Sequence, residues 1–353
     1  MIHTSLRRTR AAVAVALTGV LATGCTLFAG DDEQPGGPTK VTLVTHQSWA
    51  VPPEVLEAFE QQSGIDLVVR QEGDAGELTN KLVLTKANPI ADVAYGVDST
   101  FASRALAEGV FASYTSPEAD RGPQRYAIDS EHRLSAVDLG DVCVNIDTTW
   151  FAEQDIPEPE TFEDLTDPRY RDLLVVENPA TSSPGLAFLL ATVTEYGADG
   201  WQKYWAELKD NGVKSVSGWT EAYTQEFSGS SGAGPRPIVV SYASSPAAEV
   251  GEDGKPRTSA LLDTCYRQVE YAGVLEGSDQ KEEAGRVIDF LLSQQFQATV
   301  AENMYVYPAR EGVDLPAGWA EVAPLPQDPA ALPGERVEAG REGWIEQWRA
   351  LGI

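Results

Sequence analysis

From Lys40 onward the chain switches repeatedly between two hydrophobic periods. "KVTLVTHQSW" opens with apolar–polar alternation, the period of a strand. "PPEVLEAFEQQSG" then puts prolines ahead of Val55, Leu56 and Phe59 and a glycine behind them, which are the start and stop signals of a helix. "IDLVVRQE" predicts a second strand, "AGELTNKLVLTKANP" a second helix, "ADVAYGVD" a third strand ending at Asp98, and "TFASRALAEGVF" a third helix. This β-α-β-α-β-α order predicts an α/β lobe with a largely parallel sheet.

The second part continues in the same manner. "HRLSAVDLGDVCVNID" reads as a strand, and "TFEDLTDPRYRDLLVVENP" as a short helix running into a strand. "SSPGLAFLLATVTEYG" and "GWQKYWAELKDNG" read as two helices, followed by a strand "VKSVSG". "VSGWTEAYTQEF" reads as the start of a helix after a glycine, and "SGSSGAGPRP" is a glycine-rich loop. "IVVSYASSP" and "DTCYRQVEYAGVL" are strands, "SDQKEEAGRVIDFLLSQQFQATVAEN" is a long helical region, and "REGWIEQWRAL" is amphipathic. No internal repeat is present.

The ends and the bulk composition narrow the class. Arg7, Arg8 and Arg10 precede the apolar run "AAVAVALTGVLA", which has signal-peptide length and is short for a membrane span. "LATGC" resembles a bacterial lipobox, so cleavage before Cys25 and a lipid on its sulfur are expected. An ordinary secretory signal is the other reading, and "RRTR" also suits twin-arginine export. Residues 25–39 then read as a flexible polar tether. No later segment approaches the roughly 20 apolar residues of a membrane span, and the remainder is long enough for two lobes.

The formal net charge is −28 at pH 7, and loss of the leader arginines makes the mature chain more negative. That charge argues against nucleic acid and anionic membrane surfaces as partners and mildly favours a cationic ligand, acidity that serves solubility alone being the other reading. Apart from Cys25, the cysteines are Cys143 and Cys265. An even pair in an exported protein suggests a disulfide, with two buried free thiols as the other reading. Neither stands in a metal-ligand spacing, and only His46 and His132 remain beyond the leader, which argues against a histidine-rich zinc site.

No nucleophile elbow, zinc-protease helix, phosphate loop or dinucleotide fingerprint occurs, so nothing in the motifs calls for an enzyme. Three stretches are candidates for binding. In "NPATSSPGLAFLL", Ser182, Ser183 and Pro184 begin a helix; they serve either as caps or as an anion seat. In "YGVDST", Asp98 stands at the carboxyl end of a strand, where ligands bind in such sheets; it serves equally as a helix cap. In "VSGWTEAY", Trp219 and Tyr223 are four apart and share a helix face, either as core or as a stacking surface for a flat cation. Tyr242, Tyr305 and Tyr307 add aromatics at element ends.

"VTHQSWA", "ADVAYGVDS", "NPATSSPGLAFLL", "SGWTEAY", "VVSYASSP" and "YVYPA" occur together and in the order seen in thiamine-binding proteins of bacterial ABC importers. From about Lys40 to about Leu351 the chain resembles that family, which is related more distantly to ferric-iron and polyamine binders. The resemblance implies a two-lobed α/β fold of the type II periplasmic binding proteins, joined by two crossing strands. It implies one lobe from 40–140 and 268–353 and another from 141–267. The residues it points to are His46, Trp49, Asp98, Ser182, Ser183, Trp219, Tyr223, Tyr242 and Tyr305, with His46 and Tyr305 departing from the aromatics of relatives.

It further implies that "GDVCVNID" and "TCYRQVEY" cross side by side, which would let Cys143 and Cys265 bond. The implied role is capture of thiamine or its phosphates, with no cofactor, metal or chemistry. The implied partners are ABC permease subunits and, through a lipid anchor, the outer face of the cell membrane, the protein acting as a monomer. An iron or polyamine binder of the same fold, or a thiamine-degrading relative, are the alternatives. No "YY" pair of the ferric binders occurs.

Overall fold

The computed structural model describes residues 38–353. The leader, the lipobox with Cys25 and nearly all of the tether lie outside the described residues. The first half of the chain alternates as its periods predict: β1 (Thr39–Thr45), α1 (Pro53–Ser63), β2 (Ile65–Gln71), α2 (Ala75–Thr85), β3 (Val93–Asp98) and α3 (Ala102–Ala107). Then come β4 (Ser135–Asp147), α4 (Thr148–Gln154), β5 (Leu174–Glu177), α5 (Ser183–Asp210) and β6 (Lys214–Val216). The chain goes on through α6 (Trp219–Glu221), β7 (Ile238–Tyr242), β8 (Thr258–Val274), α7 (Lys281–Leu291) and α8 (Gln294–Met304). It ends with β9 (Tyr307–Pro308), α9 (Trp319–Val322) and α10 (Gly334–Ala350).

All strands join one sheet in the order β2-β1-β3-β8-β4-β7-β5-β6, with β9 against β4. The expected largely parallel sheet is therefore mixed. β1 is parallel to β2 and β3, and β5 to β6 and β7, but the long strands β4 and β8 are antiparallel to each other and to their neighbours. These two strands are shared by both halves of the sheet.

Each half buries both faces of its strands, as period-two alternation requires. In β1 and β3, Val41, Leu43, Val93 and Tyr95 enter one core, and Val44, Ala94 and Val97 the other. Val97 changes face because the β3–β8 register shifts between Tyr95 and Val97. Gly96, at φ 95°, makes that bulge, a conformation an L side chain rarely adopts. In the other half, Leu174, Val176, Ile238 and Val240 face one core, and Val175 and Val239 the other.

Helix breaks differ from the sequence reading in one place and agree in another. As expected from "SSPGLAFLLATVTEYG" and "GWQKYWAELKDNG", α5 consists of two helices that meet at a kink at Gly197, where φ 69° and ψ −176° are not helical. The single helical region expected over 278–303 is two helices, because Ser293 caps α8 by accepting from the Phe296 N–H at 3.3 Å. α10, in the stretch expected with the first lobe, sends Val337, Ile345 and Trp348 into the core around Trp205. Trp348 meets Trp205 edge-on at 5.7 Å, a pairing worth about 0.5–1.5 kcal/mol beyond its buried area. Among the described residues no helix is long and apolar enough to cross a membrane.

Cys143 and Cys265 are joined by a disulfide, in the two crossing strands. There the β4–β8 register steps from Val142↔Tyr266 to Val144↔Leu261, so Leu262–Cys265 of β8 face the single residue Cys143. The bond closes this interruption of the ladder, and Thr264 Oγ1 accepts the Val144 N–H at 2.9 Å.

Candidate ligand-binding site

Where the halves meet, a cavity of about 210 Å³ opens between them. His46, Ser48, Glu270, Met304 and Tyr305 line it from the first half of the sheet. Trp219, Tyr223, Tyr242, Ser245 and Glu249 line it from the second.

The aromatic wall begins at Gly218, whose extended backbone leads into α6. The following turn, Ala222–Glu226, is wound as a π-helix, and Phe227 N–H donates to Ala222 O at 3.0 Å. Such insertions loosen the helical ladder and recur at functional positions. Ser230 Oγ takes up the freed Tyr223 carbonyl. The result keeps Trp219 and Tyr223 on one face, their rings stacked at 5.0 Å and 14°. The Trp219 indole donates to Ser241 Oγ at 2.8 Å, which fixes the ring's direction. Tyr242, at the end of β7, stands 6.3 Å from Trp219 at 53°. On the opposite side Tyr305 caps α8 at φ 53° and stacks on Trp319 at 6.1 Å.

The polar side of the cavity is acidic. Strand register sets Asp98 of β3 and Asp138 of β4 on either side of Glu270 of β8. Three buried carboxylates in one row cannot all ionise cheaply. Burial, with repulsion from Glu270, pushes Asp138 well above the usual carboxylate range. Burial also opposes the Glu270 charge, but His46, Tyr95 and Asp138 outweigh it and hold Glu270 below its ordinary value. The Tyr95 hydroxyl lies 2.5 Å from Asp138 Oδ2 and 3.0 Å from Glu270 Oε2. A protonated Asp138 therefore donates to Tyr95, which donates to an ionised Glu270. His46 Nε2 is 3.4 Å from the same carboxylate, and its Nδ1 accepts the Ser48 N–H at 3.1 Å. A side chain at Gly96 would run into this imidazole, so the β3 bulge also makes room for His46.

Beside the cavity the two halves are tied together. Asp74 caps α2 by accepting from Ala75 N–H at 2.6 Å and reaches across to accept from Trp219 N–H at 2.9 Å. Ser183 Oγ donates to Asp98 Oδ2. Ser244 Oγ donates to the Tyr305 carbonyl at 2.5 Å.

Of the nine residues expected at the site, His46, Trp219, Tyr223, Tyr242 and Tyr305 line the cavity. Asp98, Ser182, Ser183 and Trp49 do not. Asp98 is fully buried and accepts from Thr100 N–H and Oγ1, both at 2.6 Å, as well as from Ser183. The suggested anion seat at the start of α5 faces two of the chain's own carboxylates, with Asp74 Oδ1 3.5 Å from Ser183 N. Ser182 Oγ is buried without a partner, as is the nearby carboxyl of Glu177, which burial and Asp74 push well above its usual pKa. Trp49 is core, stacked on Phe296 at 5.6 Å and edge-on to Tyr95 at 5.3 Å. Glu270 and Glu249 were not singled out by the sequence. An acid within the apolar strand "QVEYAGV" is the signal that marks Glu270. Among the described residues no cluster of three or more His, Cys, Asp or Glu could hold a metal ion.

Two α/β halves on shared antiparallel strands, with a cavity between them lined from both sides, define a two-lobed binding protein of the type II periplasmic class. The chain belongs to the bacterial extracellular solute-binding protein family, which residues 88–328 match. It is 29% identical over 316 residues to the thiamine-binding periplasmic protein of Salmonella typhimurium, covering 88% of this chain and 92% of that one. Its fold superposes on the periplasmic thiamin binding protein with a TM-score of 0.79 at 27% identity, covering 88% of this chain and 96% of the other. Iron-bound HitA from Pseudomonas aeruginosa shares the fold alone, with a TM-score of 0.71 at 21% identity over 90% of this chain and all of that one.

Proposed function

We propose that this protein captures thiamine in the cavity between its halves and releases it unchanged to an ABC permease. The observation that carries the reading is a wall of Trp219, Tyr223 and Tyr242 opposite Tyr305, with an ionised carboxylate alongside. Thiamine is an aminopyrimidine joined to a permanently cationic thiazolium, so it offers two flat faces and a charge. A cation over Trp or Tyr gains about 0.5–2 kcal/mol, most when water is excluded. The relatives named for thiamine cover nearly the whole of the described chain, which favours this ligand over iron.

Binding without chemistry suits the cysteines, since Cys143 and Cys265 are bonded to each other and buried. On this reading the two halves close about β4 and β8, as a monomer, with α10 staying on the core around Trp205 instead of moving with the rest of 268–353. Cys25 carries the lipid that holds the protein at the outer face of the cell membrane. Calorimetry of the protein with thiamine, its mono- and diphosphate, ferric citrate and spermidine tests the ligand. Heat from thiamine compounds is expected. A response to ferric citrate or spermidine alone overturns the reading.

A further inference from the structure

One carboxylate of the cavity has no permanent cation beside it among the described residues. Two glutamates line the cavity. Glu249 accepts from the Tyr223 hydroxyl at 3.2 Å on one oxygen and has Arg257 at 3.8 Å from the other. Among the described residues Glu270 has no lysine or arginine within salt-bridge distance, and its basic neighbour is His46. Its remaining partners are neutral donors, the Tyr95 hydroxyl at 3.0 Å and the Gln268 amide at 3.4 Å. Glu270 is 6% exposed, so water contributes little. His46 and these donors keep the carboxylate charged, and a histidine, unlike a lysine or arginine, can give up its proton when a permanent cation arrives.

We propose that Glu270 is the residue that reads the ligand's positive charge, holding a cationic aromatic ring against the Trp219 and Tyr242 side of the cavity. Asp98, the acid that the sequence singled out, is turned to Thr100 and Ser183 and does not reach the cavity. Glu249 is partly neutralised by Arg257. The inference rests on the thiamine reading and adds that selection is for permanent charge as well as for ring shape.

The test compares thiamine with its neutral isostere, in which thiophene replaces thiazolium, by calorimetry on the full-length protein and on Glu270→Gln. The unaltered protein should prefer thiamine at least tenfold. In Glu270→Gln thiamine should lose tenfold or more while the isostere stays within about threefold, because only one of them offers a charge to the lost carboxylate. Glu270→Asp should keep the preference, which separates charge from loss of fold. Equal binding of both ligands by the unaltered protein, or an equal loss of both in Glu270→Gln, overturns the proposal and leaves the thiamine reading standing. If neither ligand binds the unaltered protein, the thiamine reading falls as well.

Discussion

Trp219 lies flat on Tyr223, with ring centres 5.0 Å apart and planes 14° from parallel. Only Tyr223 is part of the buried core; Trp219 is half-buried, so its outer face is available to the cavity. Its orientation costs nothing at the moment of binding, since the indole N–H is already held by Ser241.

Trp219→Ala should therefore weaken thiamine binding roughly 5- to 30-fold, the equivalent of about 1–2 kcal/mol of stacking. Trp219→Phe keeps a ring but loses the Ser241 contact, and should lie between the two. Titration calorimetry reads both. Full affinity in Trp219→Ala would remove this ring from the site.

Asp98 gives a pH signature of the fold. Burial raises its pKa from 3.8 to about 6, against the pull of Ser183 and Thr100 and with help from Glu270. A carboxyl with a folded pKa above its unfolded value favours folding when protonated. That contribution is present below about pH 4 and is lost as pH rises through 6. The difference is about 3 kcal/mol at 1.36 kcal/mol per unit. Asp98→Asn mimics the protonated form. It should match the parent near pH 4 and exceed it in stability by up to that amount at pH 7.5, in urea melts. A pH-independent gap would contradict the burial argument.

His46 gives a separate signature, in ligand binding. Burial lowers its pKa, but Glu270, Asp74 and Asp98 raise it by more, so the net shift is upward from 6.5. It faces Glu270 from β8, Asp98 from the end of β3, Asp74 from the start of α2, the Tyr95 ring at 5.4 Å, and Tyr242 in the cavity lining. Its second proton displaces the Ser48 N–H from Nδ1, and Glu270 compensates that loss. A bound cation beside Glu270 removes the compensation and expels the proton. Affinity for thiamine should then fall as pH drops below the His46 pKa, by up to about tenfold per unit. Calorimetry at pH 6.5 in two buffers of different ionisation enthalpy should detect proton release, and His46→Gln should abolish it. Constant affinity from pH 5.5 to 8 would count against the coupling.

The order of strands and helices was legible because glycine, proline and serine mark nearly every change of period, as at Gly64 and at Pro53. The length of β8 was not, since its first residues, Thr258–Asp263, are mostly half-exposed and lack a clean alternation. The aromatic wall was legible from Trp219 and Tyr223, whose spacing of four survives the π turn. Which acid lines the cavity was not legible: Glu270 does and Asp98 does not. Asp98 and Glu270 both lie in buried strands and are register partners, so the sequence offers no way to tell which faces the cavity. That choice depends on the Gly96 bulge and on Ser183 reaching across to take Asp98.

The Cys143–Cys265 bond spans the interruption between β4 and β8, where the shared strands pass from one half to the other. Both residues are buried, and 122 positions of chain separate them. The chain-entropy relation gives about 5 kcal/mol for a loop of that length, and measured losses are typically about 2–4 kcal/mol. The double variant Cys143→Ala, Cys265→Ala should lose stability in that range. Each half retains its own cores, which do not include the disulfide, so secondary structure should be unchanged by circular dichroism. The loss should appear where the ladder is already broken. Hydrogen exchange should quicken around Val142–Val144 and Leu261–Tyr266, and thiamine affinity should change by less than tenfold, because neither cysteine lines the cavity. A double variant as stable as the parent would mean that the bulge of β8 is held by its packing alone, with Thr264 and the Val144 N–H sufficient to close the gap.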